Sequence, residues 1–316
     1  MGITQRIDAI TNIAPKYRGS FLPAPKSVKI ELSPRCNYRC GFCALRTREN
    51  QPTEDMDWGF FARVAGEMRD AGVEELGMFY LGESFMAPDL LVRAIDHAKN
   101  KLGFPYVFLT SNASLATPDR VERCMAAGLD SLKWSVNAAD FEQFETVMGV
   151  KKKNYVRALE NIKSAWGVRE KSGFKTGLYA SSIKYDGEQQ AKMEAIVASI
   201  RPYVDEHYWL PLYSMGSLAR DRERELGYRP TAGNQGRLGA LREPLPCWSA
   251  FTEGHITAAG GLSACCFDSD GRWTMADLNN QSFMEGWNSA TFQALRKAHL
   301  DRDVTGTICE QCVAYS

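Results

Sequence analysis

The chain has 316 residues, and its hydrophobic and charged contents of 44% and 24% exclude collagen-like, low-complexity and disordered classes. Its 38 Lys and Arg residues balance 38 Asp and Glu residues, so no overall charge attracts it to nucleic acid or to an anionic membrane. No apolar run is long enough to span a membrane, and the N-terminus lacks the apolar core of a signal peptide. We therefore expect a cytoplasmic protein.

Strand and helix patterns alternate along the first two thirds of the chain. The predicted strands are residues 27–32, 75–81, 106–110, 131–136, 175–181 and 206–212. The predicted helices between them are residues 58–71, 90–99, 118–127, 155–172 and 190–200. Strands that are separated by helices form βαβ units with a parallel sheet. Six such repeats are too few for an eight-fold barrel, so we expect an α/β fold with an incomplete (β/α)6 TIM-like barrel over residues 1–216.

The remaining sequence changes character twice. Residues 217–245 are charged, contain Gly and Pro and lack periodicity, which predicts a linker or a surface excursion. Residues 246–316 contain a predicted β-hairpin, with strands 255–257 and 262–265, and a short helix over 292–299. A domain this small would fold more readily with a metal site as a staple.

Cysteine usage is the most informative feature of the sequence. The nine cysteines are Cys36, Cys40, Cys43, Cys124, Cys247, Cys265, Cys266, Cys309 and Cys312. An odd number in a chain that is expected in the cytosol argues against a disulfide framework. All except Cys124 lie in two groups, one near each end of the chain, and clustered thiolates in a reducing compartment usually hold metal.

The first group is a C-x3-C-x2-C run that directly follows the first predicted strand. Three thiolates within eight residues can hold one corner of an iron–sulfur cube and leave its fourth iron without a protein ligand. A zinc site would need a fourth Cys or His nearby, and the loop contains none. The alternative is a zinc knuckle that a distant residue completes.

With this motif the sequence resembles the radical S-adenosylmethionine (SAM) enzymes, and the resemblance covers the whole predicted barrel. In that family three cysteines bind a [4Fe–4S] cluster, and SAM chelates the open iron through its amino and carboxylate groups. An electron from the cluster cleaves SAM to methionine and a 5′-deoxyadenosyl radical, which abstracts hydrogen from a substrate C–H bond. The resemblance implies that Cys36, Cys40 and Cys43 are the ligands of this cluster.

The resemblance also implies residues that contact SAM at the C-terminal ends of the strands, where barrel sites are built. Gly82 and Glu83 match the centre of a Gly-Gly-Glu-Pro-like motif whose backbone and carboxylate receive the SAM ammonium, but Leu81 and Ser84 replace its outer residues. The other implied SAM contacts are Phe42, Asn112, Ser135, Ser181 and Lys184. Capping of a strand end is the alternative role for the polar residues among them.

The second group contains five cysteines, of which Cys247, Cys265, Cys309 and Cys312 are the candidate ligands. A hairpin that carries Cys265 and a terminal C-x2-C would bring four thiolates together. This region resembles the auxiliary-cluster extensions of radical SAM enzymes, called SPASM, or twitch in the short form with one cluster. Because the chain ends just after Cys312, we expect the twitch form over residues 246–316, and two [4Fe–4S] clusters and SAM as cofactors. A structural zinc is the alternative, since four cysteines also suit zinc.

Cys266 directly follows a predicted ligand. Successive side chains of a strand face opposite ways, so Cys266 can point towards the barrel mouth if Cys265 faces the auxiliary cluster. A thiol in that position is a good hydrogen-atom donor and a candidate catalytic residue. The alternatives are a buried packing residue, or ligation by Cys266 in place of Cys265. Cys124 lies on the apolar face of a predicted helix, and we expect it in the core.

Two reactions fit these features. In the leading hypothesis the enzyme is an epimerase of a sugar- or aminocyclitol-type molecule, in which Cys266 returns hydrogen to the opposite face of the substrate radical. In the second it is a dehydrogenase that oxidises an alcohol to a carbonyl, with the auxiliary cluster as electron acceptor. A non-enzymatic electron carrier or sensor would contain clusters but would not cleave SAM.

The expected partners follow from the same features. The sequence has no extra N-terminal domain that could bind a leader peptide, which favours a small-molecule substrate; a peptide epimerase or peptide-modifying enzyme is the alternative. A flavodoxin- or ferredoxin-type protein is the expected electron donor. The sequence contains no phosphate-binding Gly-rich loop and no basic patch with interleaved aromatics, so nucleic acid is not expected as a partner.

Overall fold

The computed structural model describes residues 1–43, 52–213, 225, 227, 229–268, 273–312 and 314–315. The helices in these ranges are α1 (Ile3–Thr11), α2 (Trp58–Asp70), α3 (Pro88–Asp96), α4 (Pro118–Ala126), α5 (Phe141–Met148), α6 (Lys152–Ser172), α7 (Gly187–Ile200), α8 (Ser249–Thr252), α9 (Phe283–Trp287) and α10 (Ala290–Leu300). The strands are β1 (Ser27–Ile30), β2 (Glu75–Gly77), β3 (Tyr106–Ser111), β4 (Ser131–Ser135), β5 (Gly177–Ile183), β6 (Glu206–Leu210), β7 (Glu253–Ile256), β8 (Gly261–Ser263) and β9 (Thr274–Asp277). Within the described ranges, no helix is both long and apolar enough to cross a membrane.

Six parallel strands form the predicted barrel. Their order is β6-β5-β4-β3-β2-β1, so strands that follow one another in the chain are also neighbours in space. Every neighbouring pair among them is parallel, as strands connected through helices must be. The predicted α/β class with a parallel sheet is confirmed.

The C-terminal strands extend this sheet beyond β1. Strand β7 pairs parallel with β1, with Ser27 opposite Glu253 and Ile30 opposite Ile256. Strand β8 runs antiparallel to β7, with Ser263 opposite His255. The chain after β8 therefore returns towards the level of Glu253, where the barrel strands begin. The C-terminal region predicted as a separate domain is thus hydrogen-bonded to the barrel sheet.

The segment that was expected to be a linker is ordered against α1 where it is described. Residues 217–224, 226 and 228 lie outside the described residues. Arg237 forms an ion pair with Asp8 at 2.6 Å, and Arg242 donates to the backbone carbonyl of Asp8 at 2.8 Å. These two arginines therefore hold the described part of the segment against α1.

Helix α1, which the sequence analysis did not predict, lies across the end of the barrel where the strands begin. Arg6 pairs with Glu75 of β2 at 2.8 Å, and its guanidinium lies 3.5 Å from the ring centroid of Tyr106 at the start of β3. Ile3 and Ile10 are buried on the same helix. The helix therefore covers the barrel interior at the end where the strands begin.

Alternation along the strands separates an outer apolar core from a polar interior. In β4, Leu132 and Trp134 are fully buried, whereas Lys133 between them faces the barrel interior. Cys124 of α4 is fully buried in the outer core, as predicted.

Candidate active site

The first cysteine group lies on a loop after β1 that is held by the end of α5. The amide of Arg39 donates to the carbonyl of Met148 at 2.9 Å, and the amide of Gly41 donates to the carbonyl of Val147 at 2.6 Å. The last carbonyls of a helix have no partner within the helix, so the loop satisfies groups that would otherwise need water. Helix α5, which the sequence analysis missed, thereby fixes the loop between Cys36 and Cys43.

Packing adds to these hydrogen bonds. Tyr38 is buried and meets Phe144 of α5 edge to face, with ring centroids 5.4 Å apart. Cys36, Cys40 and Phe42 pack against the same apolar cluster. Burial raises the pKa of Cys36 to about 12, so its thiol is protonated without a metal, and binding of a cluster must displace that proton.

The Gly82–Glu83 turn contacts the residues immediately before Cys36. The amide of Glu83 donates to the carbonyl of Arg35 at 2.8 Å. The carboxylate of Glu83 faces inward, where it accepts from the amides of Asn112 (2.8 Å) and Phe85 (3.1 Å) and from the hydroxyl of Ser111 (3.0 Å). Burial raises its pKa, against the effect of these donors. In this geometry the carboxylate joins its own turn to the end of β3, and a direct contact with SAM stays a prediction.

The other predicted SAM contacts lie in three different places: beside the cysteine loop, inside the barrel and on the surface. Asn112 donates from Nδ2 to Oδ1 of Asn37, which lies in the cysteine loop, at 2.9 Å. Asn112 and Ser135 line one small cavity together with Tyr38. Ser181 is buried in the barrel, where its hydroxyl accepts from Lys133 at 3.1 Å, and Lys184 is exposed.

The second cysteine group surrounds a single cavity. Cys247, Cys265, Cys309 and Cys312 all line it. The amide of Cys247 donates to Nδ1 of His299 at 3.2 Å, which orients the chain at the first of these cysteines. Among the described residues, no three His, Cys, Asp or Glu side chains converge as ligands of a single metal ion do. Four thiols around one cavity form the all-sulfur donor set that a [4Fe–4S] cluster uses.

Cys266 lines a different cavity, inside the barrel. That cavity has a volume of about 210 Å³, and its lining includes inward-facing residues of β1, β3, β4, β6 and β7 together with α1. Asn234 donates from Nδ2 to the Sγ of Cys266 at 3.4 Å. Cys266 shares this cavity with Ile3 and Ile10 of α1, the helix that covers the end of the barrel where the strands begin, so it faces the interior from the end opposite the expected mouth. The two cysteine groups thus lie at opposite ends of the barrel.

The sequence analysis missed the charged residues of this interior. Lys29, Lys133 and Glu253 line the cavity, and Lys29 pairs with Glu253 at 2.8 Å. Burial raises the pKa of Glu253, but the larger combined effect of Lys29 and His255 lowers it to about 2. A lysine at the centre of an otherwise apolar strand, as in both β1 and β4, was the available signal.

Two family models match the chain. The radical SAM superfamily model matches residues 30–173, and the iron–sulfur cluster-binding (SPASM) domain model matches residues 247–313. The matched domains imply [4Fe–4S] clusters and SAM as cofactors, and the all-sulfur donor sets described above fit such clusters.

Solved structures with the same fold include two radical SAM proteins. BtrN in complex with AdoMet and 2-DOIA superposes with a TM-score of 0.60 at 12% identity, covering 91% of this chain and 92% of BtrN. SuiB from Streptococcus suis bound to SAM gives a TM-score of 0.63 at 17% identity, covering 93% of this chain and 72% of SuiB.

Curated relatives match over the barrel region. A probable GTP 3′,8-cyclase from Saccharolobus solfataricus is 30% identical over 142 residues, which are 44% of this chain and 43% of that protein. PqqA peptide cyclase from Ruegeria pomeroyi is 28% identical over 130 residues, 41% of this chain and 34% of that protein. The chain thus matches less than half the length of these relatives. It belongs to the radical SAM superfamily and carries a C-terminal SPASM iron–sulfur cluster-binding domain.

Proposed function

We propose that this protein is a radical SAM epimerase of a small sugar- or aminocyclitol-type molecule in which Cys266 donates a hydrogen atom to the substrate. One observation carries the proposal: Cys266 lines the interior cavity, whereas its neighbour Cys265 lines the cavity of the four-cysteine group. The two thiols share a neighbour, since Nδ2 of Asn234 lies 3.9 Å from the Sγ of Cys265 and 3.4 Å from the Sγ of Cys266. In the proposal Cys265 is the cluster ligand, and Cys266 is left for a molecule in the barrel. The volume of about 210 Å³ suits a ligand smaller than the drug-sized molecules bound in cavities of roughly 300–1,000 Å³.

The cysteines have separate roles in this proposal. Cys36, Cys40 and Cys43 hold the cluster that binds SAM, and the four candidate ligands of the second group hold the auxiliary cluster. When bound, the first cluster and SAM supply the 5′-deoxyadenosyl radical that abstracts hydrogen from a substrate C–H bond. The proposed SAM-contacting residues are Phe42, Gly82, Glu83, Asn112, Ser135, Ser181 and Lys184. Ser181 and Lys184 are the weakest members of this set, because one is engaged by Lys133 and the other is exposed.

Cys266 completes the reaction from the other end of the cavity. Its S–H bond breaks as a new C–H bond forms on the substrate radical, which leaves a thiyl radical on Sγ. One electron from a flavodoxin- or ferredoxin-type donor and one proton restore the thiol. Because the cysteine loop follows the ends of the strands and Cys266 lies near their beginning, hydrogen would leave and return on opposite faces, as inversion requires.

A dehydrogenase is the second candidate, and the shared wall between the two cavities favours it. Asn234 and Phe267 line both the interior cavity and the four-cysteine cavity. The closeness of the two cavities suits transfer of an electron from the substrate to the auxiliary cluster, as oxidation of an alcohol to a carbonyl requires. This reaction needs no hydrogen atom from Cys266.

Isotope labelling distinguishes the two reactions. The reconstituted holoenzyme is incubated anaerobically in D₂O with SAM, a reductant and fractionated small metabolites, and the products are analysed by mass spectrometry. An epimerase gives a product of unchanged formula that has gained one deuteron, because the thiol proton exchanges with solvent. A dehydrogenase gives a product that has lost two hydrogens.

Two cysteine variants complete the experiment. Cys266→Ala should still cleave SAM but give no deuterated epimer. Cys124→Ala, at a fully buried cysteine of the outer core, should behave as the wild type. Deuterium incorporation that persists in Cys266→Ala, or a product lighter by two hydrogens in both proteins, would overturn the epimerase proposal.

A further inference from the structure

The charges that line the interior cavity are nearly all compensated within the protein. Lys29 pairs with Glu253 at 2.8 Å, and Arg6 pairs with Glu75 at 2.8 Å. Arg237 pairs with Asp8, also at the distance of a charge-assisted hydrogen bond. A buried charge is costly unless it is paired, so these pairs are the expected arrangement.

Lys133 is the exception. Its ammonium group lines the same cavity, where Nζ donates to the hydroxyl of Ser181 at 3.1 Å. Among the described residues, no carboxylate forms an ion pair with Lys133. Burial, and after it the charge of Lys29, lowers the pKa of Lys133 to about 7. The cavity thus contains one cation whose counter-charge the described part of the chain does not supply.

Hydroxyl-bearing residues share the cavity with this cation. Thr110 lies opposite Lys133 in the pairing of β3 with β4, and Ser131 precedes it by two residues on the same face of β4. Both line the cavity, as does Tyr208 of β6. Hydroxyls that donate and accept hydrogen bonds suit a polyhydroxylated ligand.

We propose that Lys133 binds a carboxylate of the substrate, so that the enzyme acts on a small sugar acid rather than on a cationic aminocyclitol. This inference rests on the proposed function only in taking the interior cavity as the substrate site. A carboxylate provides the missing counter-charge, while the ammonium of an aminocyclitol would be repelled by Lys133. A phosphate dianion fits less well, because the arginines of the cavity, Arg6 and Arg237, already hold carboxylates.

Binding of matched sugars tests the charge preference. Isothermal titration of the anaerobic holoenzyme with SAM, without reductant, compares D-glucuronate, D-glucose, D-glucosamine and D-glucose 6-phosphate. We expect glucuronate to bind about tenfold more tightly than glucose, as one charge-assisted contact implies, and glucosamine to bind most weakly. Lys133→Met should remove the preference and Lys133→Arg should keep part of it. Lys171→Met, at an exposed lysine of α6, should leave it unchanged.

A second measurement locates the anion even if these sugars bind weakly. Cyanate carbamylates unprotonated amines, and peptide mass spectrometry gives the rate of labelling at Lys133. Glucuronate at its highest soluble concentration should slow this labelling, whereas glucosamine at the same concentration should not.

The proposal is overturned if glucuronate gives no protection of Lys133, if glucosamine or glucose 6-phosphate binds more tightly than glucuronate, or if Lys133→Met keeps the preference. Neither measurement involves turnover. Their failure would leave the deuterium experiment on Cys266 unaffected, and a failure of epimerisation would leave the charge preference measurable.

Discussion

Gly82 lies so close to Ser33 that a Cβ at residue 82 would come within 2.0 Å of the Ser33 carbonyl oxygen. The same Cβ would lie 2.9 Å from the carbonyl oxygen of Arg35. Both contacts are with backbone, which cannot move aside as the end of a flexible side chain can. The turn after β2 therefore packs directly against the backbone that leads into Cys36. This close approach is possible because glycine has no side chain.

Gly82→Ala should therefore displace the first cysteine loop. We expect the variant to lose about half of its iron, that of the first [4Fe–4S] site, while the second site keeps its cluster. Iron analysis and electron paramagnetic resonance of the reconstituted protein would measure this. Gly66→Ala is the matched control, because a Cβ at that helical position meets nothing within 4 Å. Full iron content in Gly82→Ala would contradict the prediction.

Glu83→Gln should destabilise the fold although it changes one atom. The carboxylate accepts three donors, with Oε1 facing the amide of Phe85 and the hydroxyl of Ser111 and Oε2 facing the amide of Asn112. A glutamine amide group would turn an N–H towards at least one of these donors. We expect a loss of about 1–3 kcal/mol in the free energy of unfolding, measured by urea titration.

The control for this variant is Glu188→Gln. The side chain of Glu188 is 84% exposed, and it pairs with Lys192 on the surface. Exposed ion pairs contribute little, so its urea midpoint should match that of the wild type. Equal midpoints for Glu83→Gln and Glu188→Gln would show that the three donors do not depend on the carboxylate.

Replacement of Cys309 and Cys312 by serine should remove the second cluster alone. Both thiols line the four-cysteine cavity, far along the chain from the first cysteine loop. We expect about half of the iron to remain, with SAM cleavage retained in the reduced protein. A variant with all its iron, or one with none, would contradict the assignment of separate sites to the two cysteine groups.

Stability should depend on pH through Lys133. Its pKa is about 7 in the folded protein against 10.5 for the free side chain. Between these values the unfolded chain holds a proton that the folded chain lacks, so rising pH favours folding across this window. The penalty for burying the ammonium is greatest below about pH 7. Lys29 and Ser181 are the neighbouring groups that act on this proton.

Lys133→Met should therefore be more stable than the wild type at pH 6.5, by on the order of 2 kcal/mol, and this advantage should shrink at pH 9.5. Urea titrations of both anaerobic proteins at the two pH values measure the difference. Lys171→Met should show the same difference from wild type at both. A constant advantage of Lys133→Met across the window would contradict a lowered pKa.

Local patterns in the sequence determined the α/β class, the strands of the barrel and the position of the first cysteine group after β1. They did so because strand alternation, helix periodicity and a C-x3-C-x2-C spacing are properties of consecutive residues. The core position of Cys124 followed in the same way, from the apolar face of one helix. Helix α5 was missed although its end holds the cysteine loop. Its signals were present: Asp140 caps its start, Gly149 ends it in the left-handed conformation, and Phe144, Val147 and Met148 share one buried face.

Only the tertiary structure decided which of these residues share a cavity. The pairing of β7 with β1 joins residues 226 positions apart, and it brings Cys265 and Cys266 to the end of the barrel opposite the first cysteine loop. In the folded barrel, Lys133 faces an interior in which the other cations are paired with carboxylates. Lys184, by contrast, is exposed. Spacing along the chain specifies which thiolates can act together, whereas strand pairing between distant segments determines what faces the substrate.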